Sequence, residues 1–137
     1  MNFQINCHRI VGGSGSGKAL VTKQPINFLA MIDTKKYIFK DRNHELYGKS
    51  MKDAILVFPY AIGSSVGAYA IYSLKVNGVA PRAVICSNKA DIITASGCAI
   101  SNIPLVDTSE KASSSYIVTG LEIIVDADNK KIIIQTV

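Results

Sequence analysis

Histidine is scarce in this chain: there are two, His8 and His44, and both precede residue 45, while tryptophan is absent. A nucleophile-elbow hydrolase needs a histidine downstream of its serine, so this placement argues against triad chemistry on any later serine. Cysteine is limited to Cys7, Cys86 and Cys98, with no C-x-x-C spacing and no Cys/His cluster. That speaks against both a disulfide framework and a metal site built by this chain alone. Each cysteine lies in an apolar segment and reads as core packing. Long apolar runs are missing too. Stretches such as Ile132-Ile133-Ile134 are far too short to span a bilayer. Met1-Asn2-Phe3-Gln4-Ile5 carries no basic stretch followed by an apolar core, so no secretory signal is read there and the expected location is cytoplasmic.

What is present describes one ordinary folded domain, expected to cover residues 1–137, with 48% hydrophobic and 18% charged residues. The net charge of +5 owes much to Lys35, Lys36, Lys40, Arg42, Lys49 and Lys52. Among these only Tyr37, Phe39 and Tyr47 offer aromatic rings, and no nucleic-acid motif accompanies them. The basic region therefore reads as a solvated surface, with a small anionic substrate or an acidic partner as the second reading.

Alternation from Phe3 to Val11 predicts a strand running up to a glycine run. Ala19-Leu20-Val21, Ile26-Asn27-Phe28-Leu29-Ala30-Met31-Ile32 and Tyr37-Ile38-Phe39 read as further strands, and residues 40–52 as a loop. Ala54-Ile55-Leu56-Val57-Phe58 predicts a strand that turns at Pro59 into a helix over 66–76, with Gly78 at its C-terminal end. A strand is expected over 82–86, a short helix over 91–96 ending at Gly97, and strands over 103–106 and 116–118. Residues 109–115 look like a loop, and 121–125 with 130–137 like a β-hairpin. The order predicts a mixed α/β domain: a compact sheet or flattened barrel with flanking helices.

Three motifs compete for the function. Gly12-Gly13-Ser14-Gly15-Ser16-Gly17-Lys18 fits the first seven positions of a phosphate-binding loop. The hydroxyl that would hold magnesium is replaced by Ala19, and the residues after it read as a strand, where that motif needs a helix. A non-enzymatic module that binds a phosphate ligand through this loop stays open as an alternative. Gly63-Ser64-Ser65-Val66-Gly67 fits G-x-S-x-G with Ser65 as nucleophile, but no histidine follows it. Read differently, Gly63-Ser64-Ser65 presents hydroxyls where a strand runs into a helix, a place suited to an anion. On the residues alone, helix capping by Ser64 is the favoured reading.

The third reading is reinforced by an ordered set of segments. The run 12–20, Pro25-Ile26-Asn27-Phe28, Asp41-Arg42-Asn43-His44-Glu45-Leu46-Tyr47-Gly48-Lys49-Ser50, Gly63-Ser64-Ser65, Gly78-Val79-Ala80-Pro81-Arg82-Ala83 and residues 97–104 together resemble the small subunit of the aconitase X family. The resemblance implies a swivel-type domain in a heterodimer, whose large subunit holds a 4Fe-4S iron–sulfur cluster. It implies that Ser64 is the proton acceptor of a hydro-lyase, with Gly63 and Ser65 contacting substrate. In the archaeal branch of the family the reaction converts (R)-mevalonate 5-phosphate to trans-anhydromevalonate 5-phosphate, on a route to isoprenoids. A bacterial-type branch dehydrates a hydroxyproline, and that alternative is carried too. Ile62 stands where the family often has an arginine or another polar residue, and Ala30-Met31 where it often has two glycines. His44 reads at least as well as a surface or structural histidine as one that orients a loop or touches substrate, and Arg42, Lys49 and Arg82 read first as solvated and second as phosphate partners.

Overall fold

The computed structural model describes residues 2–108 and 115–135; the expected loop at 109–115 falls outside them except for Ser115. Eight strands and three helices follow in the order β1 (Asn2–Asn6), β2 (His8–Val11), β3 (Ser14–Val21), α1 (Phe28–Met31), β4 (Ile55–Phe58), α2 (Gly67–Val76), β5 (Ala83–Cys86), α3 (Ile92–Ser101), β6 (Leu105–Asp107), β7 (Glu122–Asp126) and β8 (Lys131–Gln135). The strands form a sheet in the order β1-β8-β7-β3-β4-β5-β6-β2. β3, β4, β5 and β6 run parallel, with α2 and α3 as crossovers. The remaining pairs are antiparallel. β1 and β2 lie at opposite ends of this order, yet only Cys7 separates them in the chain. The sheet therefore curls back on itself as a flattened barrel.

Side-chain alternation then divides the core in two. Ile55, Val57, Ala83, Ile85 and Val106 point inward to meet Ile5, Ile123, Val125, Ile132 and Ile134. Their neighbours Leu56, Phe58, Val84, Cys86 and Leu105 point outward, beneath Ile71 and Leu74 of α2, Cys98 of α3 and Phe28 of α1. β4, β5 and β6 are buried along their whole length, as expected of parallel strands covered on both faces. Phe28 meets Phe58 edge-on at 5.6 Å and so ties α1 to the end of β4.

Several expected elements came out differently. The N-terminal strand breaks at Cys7 into β1 and β2, because the two halves pair with different partners, β8 and β6. The glycine run is mostly strand: only Gly12-Gly13 turn, and 14–18 pair with β7. A Cβ at Gly15 would lie 2.5 Å from the carbonyl oxygen of Arg82, and one at Gly17 2.5 Å from that of Asp53. These glycines let the chain entering β5 and β4 pack directly on β3. The stretch 26–32 is no strand; Asn27 Oδ1 accepts the Ala30 N–H at 3.0 Å and caps the single turn α1. Ile32 and Phe39 keep only one isolated bridge. α3 does not stop at Gly97 but continues to Ser101, where Asn102 takes the left-handed conformation that ends it. Residues 116–118 form no strand, although Ile117 is buried in the inner core.

Candidate functional site

The chain leaves β4 at Phe58 and is captured at once by two distant segments. Ile26 N–H donates to the Tyr60 carbonyl at 3.2 Å, and Ile62 N–H donates to the Ile26 carbonyl at 2.9 Å. Between them, Ala61 N–H donates to Asp91 Oδ1 at 2.9 Å. Asp91 is also the N-cap of α3, accepting from Thr94 N–H and from Thr94 Oγ1, each at 2.9 Å. The turn after β4 is thus held by hydrogen bonds to Asp91 at the start of α3 and to the segment before α1.

Gly63 follows with φ +100°, a conformation that side chains rarely adopt. A Cβ there would lie 2.6 Å from Asn27 Nδ2, 2.9 Å from its Cγ and 3.1 Å from its Oδ1. The Asn27 carboxamide therefore rests on the bare face of Gly63. Ser64 and Ser65 come next, both exposed.

Ser64 Oγ accepts the Val66 N–H at 3.1 Å. Its carbonyl accepts from Gly67 N–H at 2.9 Å, and the Ser65 carbonyl accepts from Ala68 N–H at 3.1 Å. The junction read from the sequence as a helix start suited to an anion has its open donors elsewhere than on the helix. α2 begins at Gly67, and its first N–H groups are already taken by the two serine carbonyls. The open donors are instead the N–H groups of Ser64 and Ser65 themselves, which meet no acceptor among the described residues. The capping role considered for Ser64 exists in a local form, as a serine turn closing on Val66. A hydrogen bond donated to Oγ favours its charged form, and the N-terminus of α2 adds to that effect.

The remaining candidates separate clearly. His44 is buried, with both ring nitrogens in use. Leu46 N–H donates to Nδ1 at 3.1 Å, so Nε2 carries the proton and donates to the Pro25 carbonyl, also at 3.1 Å. The ring stacks on Phe39 with centroids 5.5 Å apart. It braces the segment that pairs with the turn after β4. Arg42 and Lys49 are exposed and form no ion pair among the described residues. Arg82 pairs with Asp53 at 3.6 Å and lines a cavity of about 890 Å³ with Gly12 and Ser14. That cavity lies where β4 and β5 begin, whereas the serine turn follows the end of β4. The glycine run and the serine turn therefore sit at opposite ends of the parallel strands.

Two site neighbours, Asn27 and Asp91, escaped the sequence reading. Asn27 lay inside a segment taken for a strand, and Asp91 was read only as the start of a helix. A crevice of about 880 Å³ also opens at the carboxyl ends of β3, β4 and β5, lined by Thr22, Lys23, Glu45, Pro59, Ser87 and Asn88 among others. Around the turn the surface is apolar but uncovered: Leu29, Tyr60, Ile62, Val66, Tyr69 and Ile92 are all exposed, Ile92 by 82%. Among the described residues, no group of three or more His, Cys, Asp or Glu could hold a metal ion, and no helix is long and apolar enough to cross a membrane.

The chain is similar to known proteins along nearly its whole length. The phosphomevalonate dehydratase small subunit of Methanocella arvoryzae is 46% identical over 124 residues, covering 90% of this chain and 93% of that one. The protein of the same name from Methanothrix thermoacetophila is 40% identical over 132 residues, covering 96% and 95%. The crystal structure of Thermococcus kodakaraensis aconitase X in its holo-form superimposes with a TM-score of 0.89 at 38% identity, covering 97% of this chain and 98% of that one. Residues 4–134 match the aconitase X swivel domain, and the chain belongs to that family.

Proposed function

We propose that residues 1–137 act as one swivel-like small-subunit domain of a heterodimeric hydro-lyase, closing over a large subunit and delivering Ser64 as proton acceptor. The substrate proposed is (R)-mevalonate 5-phosphate and the product trans-anhydromevalonate 5-phosphate, in isoprenoid biosynthesis. Relatives that share 40% and 46% identity carry the name of that dehydratase. The observation that carries the reading is the state of Ser64: exposed, its Oγ accepting the Val66 N–H, with the N–H groups of Ser64 and Ser65 open beside it.

A serine hydroxyl is a weak base, so the site must favour its alkoxide. The Val66 N–H and the N-terminus of α2 do so from fixed positions, with no reorganisation needed during the reaction. The alkoxide takes a proton from the carbon beside the substrate carboxylate. The electron pair left behind becomes the double bond as hydroxide departs from the neighbouring carbon. The transferred proton and the hydroxide together account for one water. The open N–H groups at Gly63-Ser64-Ser65 would contact the substrate anion. The uncovered apolar rim around the turn fits a site completed by another chain.

The family's iron–sulfur cluster, when bound, supplies a Lewis acid for the departing hydroxyl. The residues of this chain do not fit as its ligands. Cys7 lies in the inner core, and Cys86 and Cys98 in the outer one. Burial pushes the Cys7 thiol up to about 11, Cys98 up to about 12, and Cys86 well above its ordinary value, whereas iron takes thiolates. We assign the cluster to the large subunit, and none of the steps given to this chain runs through it.

The test is to co-express the chain with its large subunit, reconstitute the cluster and assay dehydration of mevalonate 5-phosphate beside a hydroxyproline. Wild type should turn over the phosphate ester, and Ser64→Ala should lose about 100-fold or more in kcat. Near-normal turnover by S64A would remove Ser64 from the mechanism. A preference for hydroxyproline would move the chain to the other branch.

A further inference from the structure

Asn27 meets Gly63, and the two ends of its carboxamide have different duties. Oδ1 is occupied by the Ala30 N–H at 3.0 Å. That bond settles the orientation of the amide, since an N–H requires an oxygen acceptor. Nδ2 is then the end that lies closest to Gly63, at 2.6 Å from the place of a Cβ, and it meets no acceptor among the described residues. The backbone beneath it is equally constrained. Ile26 bridges Ala61 in parallel, with hydrogen bonds to Tyr60 and Ile62 on either side. His44 donates to the carbonyl of Pro25, two residues before Asn27. A donor that meets no acceptor among the described residues is thus placed against the residue before Ser64.

We propose that Asn27 is a catalytic residue, its Nδ2 donating a hydrogen bond to the anionic oxygen that docks or develops at the Gly63–Ser64 turn. This rests on the dehydratase reading of Ser64. A neutral amide suits the task because it stabilises negative oxygen without forming a salt bridge to the alkoxide, which must stay basic. Ile62, the residue before Gly63, is apolar, and no side-chain cation from that position shares the work. The oxygen belongs either to the substrate carboxylate or to the reacting centre, and kinetics separates the two. A loss confined to kcat marks an oxygen whose charge grows in the transition state. A rise in KM marks a carboxylate already held in the ground state.

The test is Asn27→Asp in the reconstituted two-subunit enzyme. Aspartate is isosteric and caps helices as well as asparagine does, so the hydrogen bond to Ala30 and the packing on Gly63 are kept. The donor is exchanged for an acceptor and a negative charge is added. The neutral Asn27→Ala, which lacks the donor without adding charge, must therefore also lose at least about tenfold in kcat/KM if the donor matters. The expected result is an unchanged Tm with a loss of kcat/KM of about 100-fold. Asn27→Ser, which keeps a cap oxygen and restores a hydroxyl donor, should recover at least about tenfold of that loss. A loss below about tenfold in N27D would overturn the proposal and leave Asn27 as a helix cap. Should N27D fail to assemble, Asn27→Ala judged by the same tenfold limit decides. If the wild-type complex itself dehydrates nothing, the reading of Ser64 fails instead, and the two failures are distinguishable.

Discussion

Asp91 accepts the Ala61 N–H at 2.9 Å, so the carboxylate that caps α3 also holds the chain between β4 and the serine turn. Asp91→Ala removes the cap of α3, worth about 1 kcal/mol. It also strands the part-buried Ala61 N–H, at about 1–3 kcal/mol. The expected destabilisation is about 2–4 kcal/mol in urea unfolding with an unchanged m value. Asp91→Asn, which can still present an acceptor oxygen to Ala61, should recover part of it. A loss in D91A no larger than an ordinary cap deletion would mean that the tether to Ala61 contributes nothing.

Helices α2 and α3 approach each other over Gly97. A Cβ at this position would lie 2.6 Å from Ile71 Cδ1, 2.9 Å from Ile71 Cβ and 3.2 Å from the Ala68 carbonyl oxygen. Alanine would raise helix propensity by about 1 kcal/mol, but overpacking against a branched stem and a backbone atom costs about 1–3 kcal/mol. The clash should win, leaving Gly97→Ala net destabilised. Ile71→Val deletes Cδ1 and should cost less in the G97A background than in wild type. A double-mutant cycle measures this, with a coupling of at least about 0.5 kcal/mol expected. Additive mutations would show that the helices can slide apart freely.

Glu45 accepts from Thr22 Oγ1 at 2.5 Å and from Lys23 N–H at 2.7 Å. These bonds, the Thr22 hydroxyl first, hold its carboxyl below the ordinary value of 4.5. Because the folded value is depressed, the stabilisation is present above the unfolded value and is lost as pH falls through the folded one. Wild type should therefore exceed Glu45→Gln in stability by a constant margin from about one pH unit above the ordinary value of 4.5 upward. The margin should shrink below it, as read by urea unfolding at a series of pH values. A margin still undiminished at about pH 3 would contradict this.

The parallel strands were legible from the chain because burial on both faces leaves unbroken apolar runs such as Ile55-Leu56-Val57-Phe58. The terminal hairpin was legible because its alternation is interrupted by Asp126-Ala127-Asp128-Asn129, which turn residues dominate. Gly97 misled for a physical reason: locally a glycine looks like a helix stop, but here its missing side chain is the space that Ile71 fills. The run from Ile26 to Ile32 misled in a similar way. It is apolar enough for a strand, and what bends it into α1 is a cap at Asn27 together with pairing of Ile26 to Ala61. The glycines at 15 and 17 read as a loop because the carbonyls that press on them come from residues 82 and 53, far along the chain.

For the site, the chain by itself determined that a serine pair follows a buried strand and precedes a helix, since proline, glycine and apolar period are local signals. Only the tertiary structure decided what surrounds that pair. Asn27 reaches Gly63, and Asp91 reaches Ala61, because β4 lies beside β3 and β5 and its exit is flanked by the segments that follow those strands. Periodicity along a chain encodes which face of an element is buried. It does not encode which distant donor will stand opposite a given oxygen, because that depends on strand order and on how closely the helices approach.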